Sequence, residues 1–237
     1  MFAFFDLDQT LLPYDTQELF CHHVLQQQPW RRWFLASFLP ALPLAALRII
    51  GETGLKRLFL NYLWRMPVTE LTPLVETFVW ETVQPLLYPE IVKELQAHQA
   101  AGLTTILTTA SPDLYAPAIA RLLKFDHCFS TKIDLVRKSR IPFTPRLIGP
   151  NNKGTAKVVA MQSLLPEGRP IPGSHAYSDS HADLPLLRLA EFPTAIHPTP
   201  RLASECATHG WRTLFPPRPF QTKTQQFRHT LRHVLGL

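Results

Sequence analysis

The chain has 237 residues, enough for one large domain or for a core carrying an inserted module, and long enough to bury a substantial interior. Hydrophobic residues make up 46% and charged residues 18%, which excludes an intrinsically disordered chain and fits a globular protein. The net charge of +6 is unevenly placed: between positions 25 and 69 six basic residues (Arg31, Arg32, Arg48, Lys56, Arg57, Arg65) stand against Glu52 alone, and five more (Arg212, Arg218, Lys223, Arg228, Arg232) follow Glu205 with no acid. Such surfaces suit phosphorylated ligands, anionic lipid or nucleic acid, or serve only as solubilising charge.

The three cysteines, Cys21, Cys128 and Cys206, are odd in number and far apart, with no CxxC spacing, so neither a disulfide framework nor a zinc site is expected. No basic n-region precedes an apolar stretch at the N-terminus, where Asp6 and Asp8 interrupt the apolar run at once, so a signal peptide is excluded. The apolar segment 33–47 contains Pro40 and Pro43 and falls short of the roughly 20 residues a membrane span needs. A cytoplasmic protein, with at most peripheral contact to an anionic membrane, is the resulting expectation.

In chain order, Met1 to Phe5 is a short apolar run of the kind buried on both faces in a parallel sheet. Asp15, with Glu18 three positions on, reads as a capping box opening a helix. Residues 15–85 stay helical in pattern, broken by Pro40, Pro43, Gly51, Gly54 and Pro67, and form an all-helical insertion after the first strand. Pro89 opens a helix that Gly102 closes. Leu103–Leu107 is a second strand with a hydroxyl-rich tip, and Ser111 or Asp113 caps a helix over Leu114–Leu123. A third strand follows at Phe129–Val136, then an irregular hairpin over Arg140–Ile148 and a helix over Thr155–Leu165. A strand at 174–178, a helix at Leu186–Ala190, and strands at Thr194–His197 and near Trp211–Leu214 complete the sheet. Repetition of strand, polar tip and helix predicts an α/β fold with a doubly wound parallel sheet. The core is then 1–14 with 86–219, the cap 15–85, and the tail 220–237 an amphipathic helix docked on the core through Phe227, Leu231, Val234 and Leu235.

Strand tips in such a sheet share one crevice, and here they carry Asp6 and Asp8, Thr109 with Ser111, Lys153, and Asp179 with Asp183. Asp-x-Asp-x-Thr by itself also reads as a turn and a helix cap. Paired carboxylates so close resist joint ionisation without a cation, whereas phosphoryl transfer calls for this set: a nucleophile in line and positive charge and hydroxyls around three phosphate oxygens. Asp6 is the candidate nucleophile and Asp8 the candidate acid and base, protonated part of the time. Asp6, Asp179 and the backbone carbonyl of Asp8 offer hard oxygens to Mg²⁺. Asp183 either is a direct ligand or, in the favoured role, orients a metal-bound water; Lys153 screens the negative charge, and the Thr109 and Ser111 hydroxyls face phosphate oxygens. His22, His23, His181 and His197 have no metal-ligand spacing and are taken as ordinary core or loop residues.

With Asp6-Leu-Asp8-Gln-Thr10, the Thr109 tip, Lys153 and Asp179-Ser-His-Ala-Asp183 in that order, the chain resembles the haloacid dehalogenase superfamily of phosphohydrolases. Asn152-Lys153-Gly154 looks like the family's lysine motif, and Lys157, one helical turn further on, is the alternative for the same place. The insertion looks like the cap of the phosphoserine-phosphatase-like subgroup (subfamily IB). Gln9 stands where the family's first motif usually has glycine, and the second carboxylate, Asp8, argues for a phosphatase over a halide-removing enzyme.

An amino-acid substrate calls for a compact polar cap. Trp30, Trp33, Phe34, Phe38 and the Leu-Pro-Ala-Leu-Pro-Leu stretch, with basic residues beside them, are instead similar to the cap of phosphatidylglycerophosphatase C enzymes, which act on a lipid. Read without that likeness, the aromatics are the cap's own core. The expected activity is a Mg²⁺-dependent phosphomonoester hydrolase acting on a small phosphorylated metabolite or a lipid phosphate, with no nucleic-acid partner. Transfer of the phosphoryl group to an acceptor other than water, or a non-catalytic protein that binds anionic lipid or nucleic acid, are the alternatives.

Overall fold

A computed structural model describes residues 1–135, 144–220 and 222–235, and the side chains of all of these except Phe34, Lys223 and Gln226. The first strand, β1 (Phe2–Phe5), is buried and hydrogen-bonded on both edges, which is why it carries no alternation of polar residues. It pairs in parallel with β2 (Thr104–Pro112) on one side and β5 (Ile171–Ser178) on the other. Outward from these lie β3 (His127–Asp134) and β4 (Arg146–Ile148) on the first side, and β6 (Ala190–Ile196) and β7 (Arg212–Leu214) on the second. The order is β4-β3-β2-β1-β5-β6-β7, parallel except for the antiparallel pair of β3 and β4. Since the chain leaves β1 toward opposite edges, a crevice opens at its carboxyl end, the usual ligand site of doubly wound sheets.

The period of two sends alternate residues of β1 into different cores. Phe5, Leu107 and Tyr177 lie in one apolar cluster, with the Phe5 and Tyr177 rings stacked 4.3 Å apart, while Phe4, Ile106 and Ala176 lie in the other. Helices cover both faces.

Between β1 and the helix that leads into β2, the described elements are helical throughout: α1 (Thr16–Gln27), α2 (Arg32–Leu35), α3 (Ala41–Ala46), α4 (Glu52–Phe59), α5 (Val68–Thr77) and a π-helical turn at Phe78–Val83. These helices have no separate interior. Leu19, Phe20, Leu60, Tyr62 and Phe78 belong to the same cluster as Phe5 and Tyr177. Trp30 and Trp33 are exposed, and the buried centre of this region is made by smaller groups such as Leu35, Ala41 and Leu63 with Phe59 and Tyr62. The side chain of Phe34 lies outside the described residues.

After α6 (Pro89–Ala100), Gly102 adopts a left-handed conformation and turns the chain into β2. Strand β2 runs past Leu107 to Pro112, because Pro112 still pairs with Thr131. The next helix, α7 (Ala116–Leu122), is capped by neither expected residue: Asp113 accepts the Ile133 backbone N–H at 2.9 Å and Ser111 bonds Asp8. Helix α8 (Thr155–Ala160) passes into a 3₁₀ turn at Gln162–Leu164, and α9 (Leu184–Leu187) is a single turn. Helix α10 (Pro200–His209), which the chain-order reading passes over, has the local signals of one: Pro200 in its first turn and left-handed Gly210 after its end. Of the expected third strand and hairpin, Val136 and positions 140–143 lie outside the described residues, as do Gln221, Gly236 and Leu237 of the tail. No helix among the described residues is long and apolar enough to cross a membrane.

The last helix, α11 (Lys223–Leu235), lies along α1, and of its apolar stripe Val234 packs against the core as its spacing suggests while Phe227 and Leu231 do not. Phe227 is 65% exposed and Leu231 44%, with Val234 half-buried. What holds it against α1 is a ring cluster: His233 lies 5.2 Å from His22 and 5.4 Å from Tyr14, and His229 6.1 Å from Tyr14. Glu18 of α1 completes the contact through Thr230. Burial pushes the His233 imidazole down to about 4, helped by His22 and His229, and burial with nearby Arg32 lowers His22. A histidine depressed on folding contributes stability that is whole above its unfolded value of about 6.5 and is lost as pH falls toward the folded value. The protection of α11 amides, taken relative to intrinsic exchange at each pH, is therefore expected to fall between pH 7 and pH 5 while that of β1 stays high. Equal protection of α11 at both pH values would contradict this.

Candidate active site

Strand β1 ends at Asp6, whose backbone N–H still bonds the Tyr177 carbonyl at 3.0 Å. The chain then turns sharply, with Thr10 and Leu11 both donating to the Leu7 carbonyl, while the buried Leu7 side chain anchors the turn in the core. Gln9 takes a positive φ of 59°, so the position where glycine is usual does require the left-handed region, and here a side chain occupies it under strain. Asp6 and Asp8 are thereby turned to the same cavity.

Asp8 is fixed at both oxygens. Its Oδ1 accepts from the Thr16 backbone N–H at 2.7 Å and the Thr16 hydroxyl at 2.6 Å, and its Oδ2 accepts from the Ser111 hydroxyl at 2.6 Å. Ser111 therefore orients a carboxylate, where the sequence suggested a phosphate contact. Thr109 is fully buried with its hydroxyl accepting the Ser111 backbone N–H, and the cavity is lined at this point by Ala110.

The lysine at the centre is Lys157. From the first turns of α8 its Nζ donates to Asp6 Oδ1 at 2.6 Å and to Asp183 Oδ2 at 2.7 Å, and the residue is 2% exposed. Lys153, the residue favoured from sequence, precedes the helix and projects to the rim, where it pairs with Glu52 at 2.9 Å. The reason is helical direction: with the helix starting at Thr155, position 157 faces the strand ends and position 153 lies outside the first turn. Gly154 makes the approach possible, because a Cβ there would meet the Ala182 carbonyl oxygen at 3.0 Å and its φ is +59°. Asp183 also accepts from the Ser178 hydroxyl at 2.8 Å, and Asp179 lines the cavity beside it.

Two carboxylates thus bond one ammonium, and Asp8 and Asp179 line the same cavity. Burial raises Asp6 well above the usual carboxylate range, against the pull of Lys157, and Asp183, Asp179 and Asp8 add to the rise. Burial and then Asp183 push Asp179 up to about 7. Asp6 and Asp183 in turn keep Lys157 protonated despite its burial. Such excess negative charge in a buried place fits a further cation, and the oxygens available suit a hard one such as Mg²⁺. Among the described residues no three acidic, histidine or cysteine side chains cluster as a ligand set. A cation between Asp6 and Asp179 therefore calls on a backbone oxygen as well, and that of Asp8 is the candidate, since the Asp8 side chain is already engaged.

Sequence reasoning missed three contributors. Thr16 begins α1 and holds Asp8. Asn152 donates from its amide nitrogen to the Thr109 and Phe129 carbonyls, at 3.1 and 3.0 Å, tying two strand ends together. Lys56 reaches from α4 to the Ala110 carbonyl and, at 2.9 Å, to Asn151 Oδ1, with burial pushing its amine down to about 8. Thr16 sits beside a recognisable helix start, but nothing local marks Lys56 or Asn152 as neighbours of the site.

The cavity above these groups measures about 680 Å³, within the range of sites that enclose small ligands. Its other walls come from α3, α4 and α11.

Residues 3–188 match the family model of haloacid dehalogenase-like hydrolases. The chain is 31% identical to phosphoserine phosphatase SerB1 of Mycobacterium tuberculosis over 216 residues, 88% of this chain and 68% of that protein. Among solved structures, a Bordetella pertussis protein of unknown function aligns with a TM-score of 0.74 at 25% identity, covering 90% of this chain and 97% of its own. A probable phosphoserine phosphatase from Vibrio cholerae aligns with a TM-score of 0.63 at 14% identity, covering all of this chain and 66% of that one, a likeness of fold.

Removing the ammonium leaves buried carboxylates uncompensated. Lys157→Met is expected to lower the free energy of unfolding in urea by about 3–5 kcal/mol, the scale for breaking a buried pair from one side. Lys153→Met, at the exposed rim, is expected to cost under about 1 kcal/mol. Equal effects of the two would overturn the assignment of Lys157 as the central cation. Gln9→Gly relieves the left-handed strain and is expected to stabilise the fold by about 1 kcal/mol in the same assay.

Proposed function

The chain belongs to the haloacid dehalogenase-like hydrolases and is a phosphatase of that superfamily; we propose that it cleaves phosphomonoesters in a Mg²⁺-dependent reaction through an aspartyl phosphate on Asp6. The observation that carries this reading is the bridge of Lys157 between Asp6 and Asp183, at 2.6 and 2.7 Å, in a cavity that Asp8 and Asp179 also line.

An Asp6 carboxylate oxygen attacks phosphorus, the bond from phosphorus to the ester oxygen breaks, and Asp8 gives its proton to the departing alkoxide. A water then attacks the same phosphorus, Asp8 takes the water's proton, and the bond from Asp6 to phosphorus breaks to release inorganic phosphate. Thr16 and Ser111 hold the Asp8 carboxylate in place for both proton transfers. Lys157 keeps Asp6 oriented and offsets its charge as the phosphate dianion approaches. Asp6, Asp179 and the Asp8 carbonyl would hold Mg²⁺, which would supply charge neutralisation, while Asp183 holds Lys157 in place. Thr109, buried beneath the cavity, supports this set by accepting the Ser111 backbone N–H.

The substrate is a small phosphorylated metabolite or a lipid phosphate. The relative from Mycobacterium tuberculosis named as a phosphoserine phosphatase supports the first of these, and the helical residues around the cavity decide between them. The described thiols are free, with Cys21 and Cys206 buried, in keeping with a reducing cytoplasm.

Asp6→Asn preserves shape and removes the nucleophile, and release of phosphate from an aryl phosphate is expected to fall by roughly 10⁴-fold or more. EDTA is expected to abolish turnover and added Mg²⁺ to restore it. Turnover that survives either treatment would falsify the proposed chemistry.

A further inference from the structure

The cavity has Asp6 and Lys157 at its floor and polar groups such as Gln17, Glu18, Lys56 and Lys153 along its sides, and much of the remaining lining is apolar. Away from them one wall is Phe38, Leu39 and Leu42 with Leu55 and Phe59 of α4. The facing wall is Phe227, Leu231, Val234 and Leu235, an i, i+4, i+7, i+8 stripe along α11. Several of these side chains remain accessible, Leu42 at 43%, Phe227 at 65% and Leu231 at 44%. A single exposed leucine is ordinary, but two apolar walls meeting over a charged floor form a continuous apolar site.

The charged groups partway up the cavity are already engaged. Glu18 is bonded by Thr230, Lys56 by the Ala110 carbonyl and Asn151, and Lys153 by Glu52. A substrate with a charged amino-acid head would have to displace these partners, whereas an apolar chain would displace only water.

We infer that the organic part of the substrate is a flexible apolar chain, seated between α4 with the Phe38–Leu42 segment and the stripe of α11, with its phosphate at Asp6. This rests on the phosphomonoester hydrolase reading and specifies its substrate class. Either a soluble alkyl phosphate or a lipid phosphomonoester in a bilayer presents that chemistry.

The test compares KM and kcat for n-alkyl phosphates of two to eight carbons, kept monomeric in solution, with those for O-phosphoserine. A parallel arm measures phosphate release from phosphatidic acid in phosphatidylcholine vesicles. KM for the alkyl series is expected to fall by up to about four-fold per added methylene, the limit set by full burial of a CH₂, with kcat little changed. Leu231→Asp on one wall and Leu42→Asp on the other are expected to flatten that dependence, and Arg228→Ala, outside the cavity, to leave it. Chain-dependent release in the soluble arm or rapid release in the vesicle arm supports the inference and identifies the source. Ethyl, octyl and serine phosphates turned over with the same KM, with vesicles untouched, would overturn it while leaving the phosphatase reading intact. Failure to hydrolyse any phosphomonoester, aryl phosphate included, would overturn both.

Discussion

One ammonium group among buried carboxylates is the constraint around which this molecule is arranged. Lys157 is 2% exposed, and it lies within hydrogen-bond distance of Asp6 from the first strand and Asp183 from the loop after the fifth. Neither acid could be buried as an anion without it, and it could not be buried without them. The interaction therefore ties the first strand to two segments more than a hundred residues further along the chain, at the point where the sheet changes direction. It also leaves the site short of positive charge, since Asp8 and Asp179 share the same space. Structure and proposed chemistry meet in that imbalance: a place built to receive a hard cation and a phosphate is one that carries more negative charge than its own lysine offsets.

Local backbone geometry serves that arrangement at two points. Gln9 holds a left-handed conformation so that Asp6 and Asp8 can face one cavity within three residues. Gly154 lets α8 approach the Ala182 carbonyl closely enough for Lys157 to reach its partners. Strain accepted at the first point and the absence of a side chain at the second are both consequences of crowding the ends of β1, α8 and the loop after β5 into one crevice.

The helical residues after β1 play a different part. They share their apolar interior with the Phe5 face of the sheet, so the wall they present over the site is anchored in the same core that holds the strands. Helix α11 closes the other side through a histidine and tyrosine cluster on α1, keeping most of its apolar stripe for the cavity. The floor of the site thus comes from strand ends and its walls from helices near and far in sequence, a division that lets one chemistry serve differently shaped substrates.

The parallel sheet and the carboxylates at its tips were legible in the sequence, because both are local patterns. An unbroken apolar run such as Phe2–Phe5 reads as a strand buried on both faces, and Asp6-Leu-Asp8 places two acids one strand period apart. The choice between Lys153 and Lys157 was not legible, since both stand near a helix start and only the packing of α8 against the strand ends buries one and leaves the other at the rim. Ser111 read as a phosphate ligand and became a partner of Asp8, for the same reason: its neighbour is 103 residues away. The apolar stripe of α11 read as a core contact, although the periodicity of a helix says only that one face is apolar and not what it faces. Sequence by itself determined most of the elements, their order and the acidic groups that a parallel sheet would bring to one edge. Only the tertiary structure decided which lysine joins them, what orients Asp8 and which helices wall the cavity, because those are contacts between segments whose separation along the chain carries no local signal.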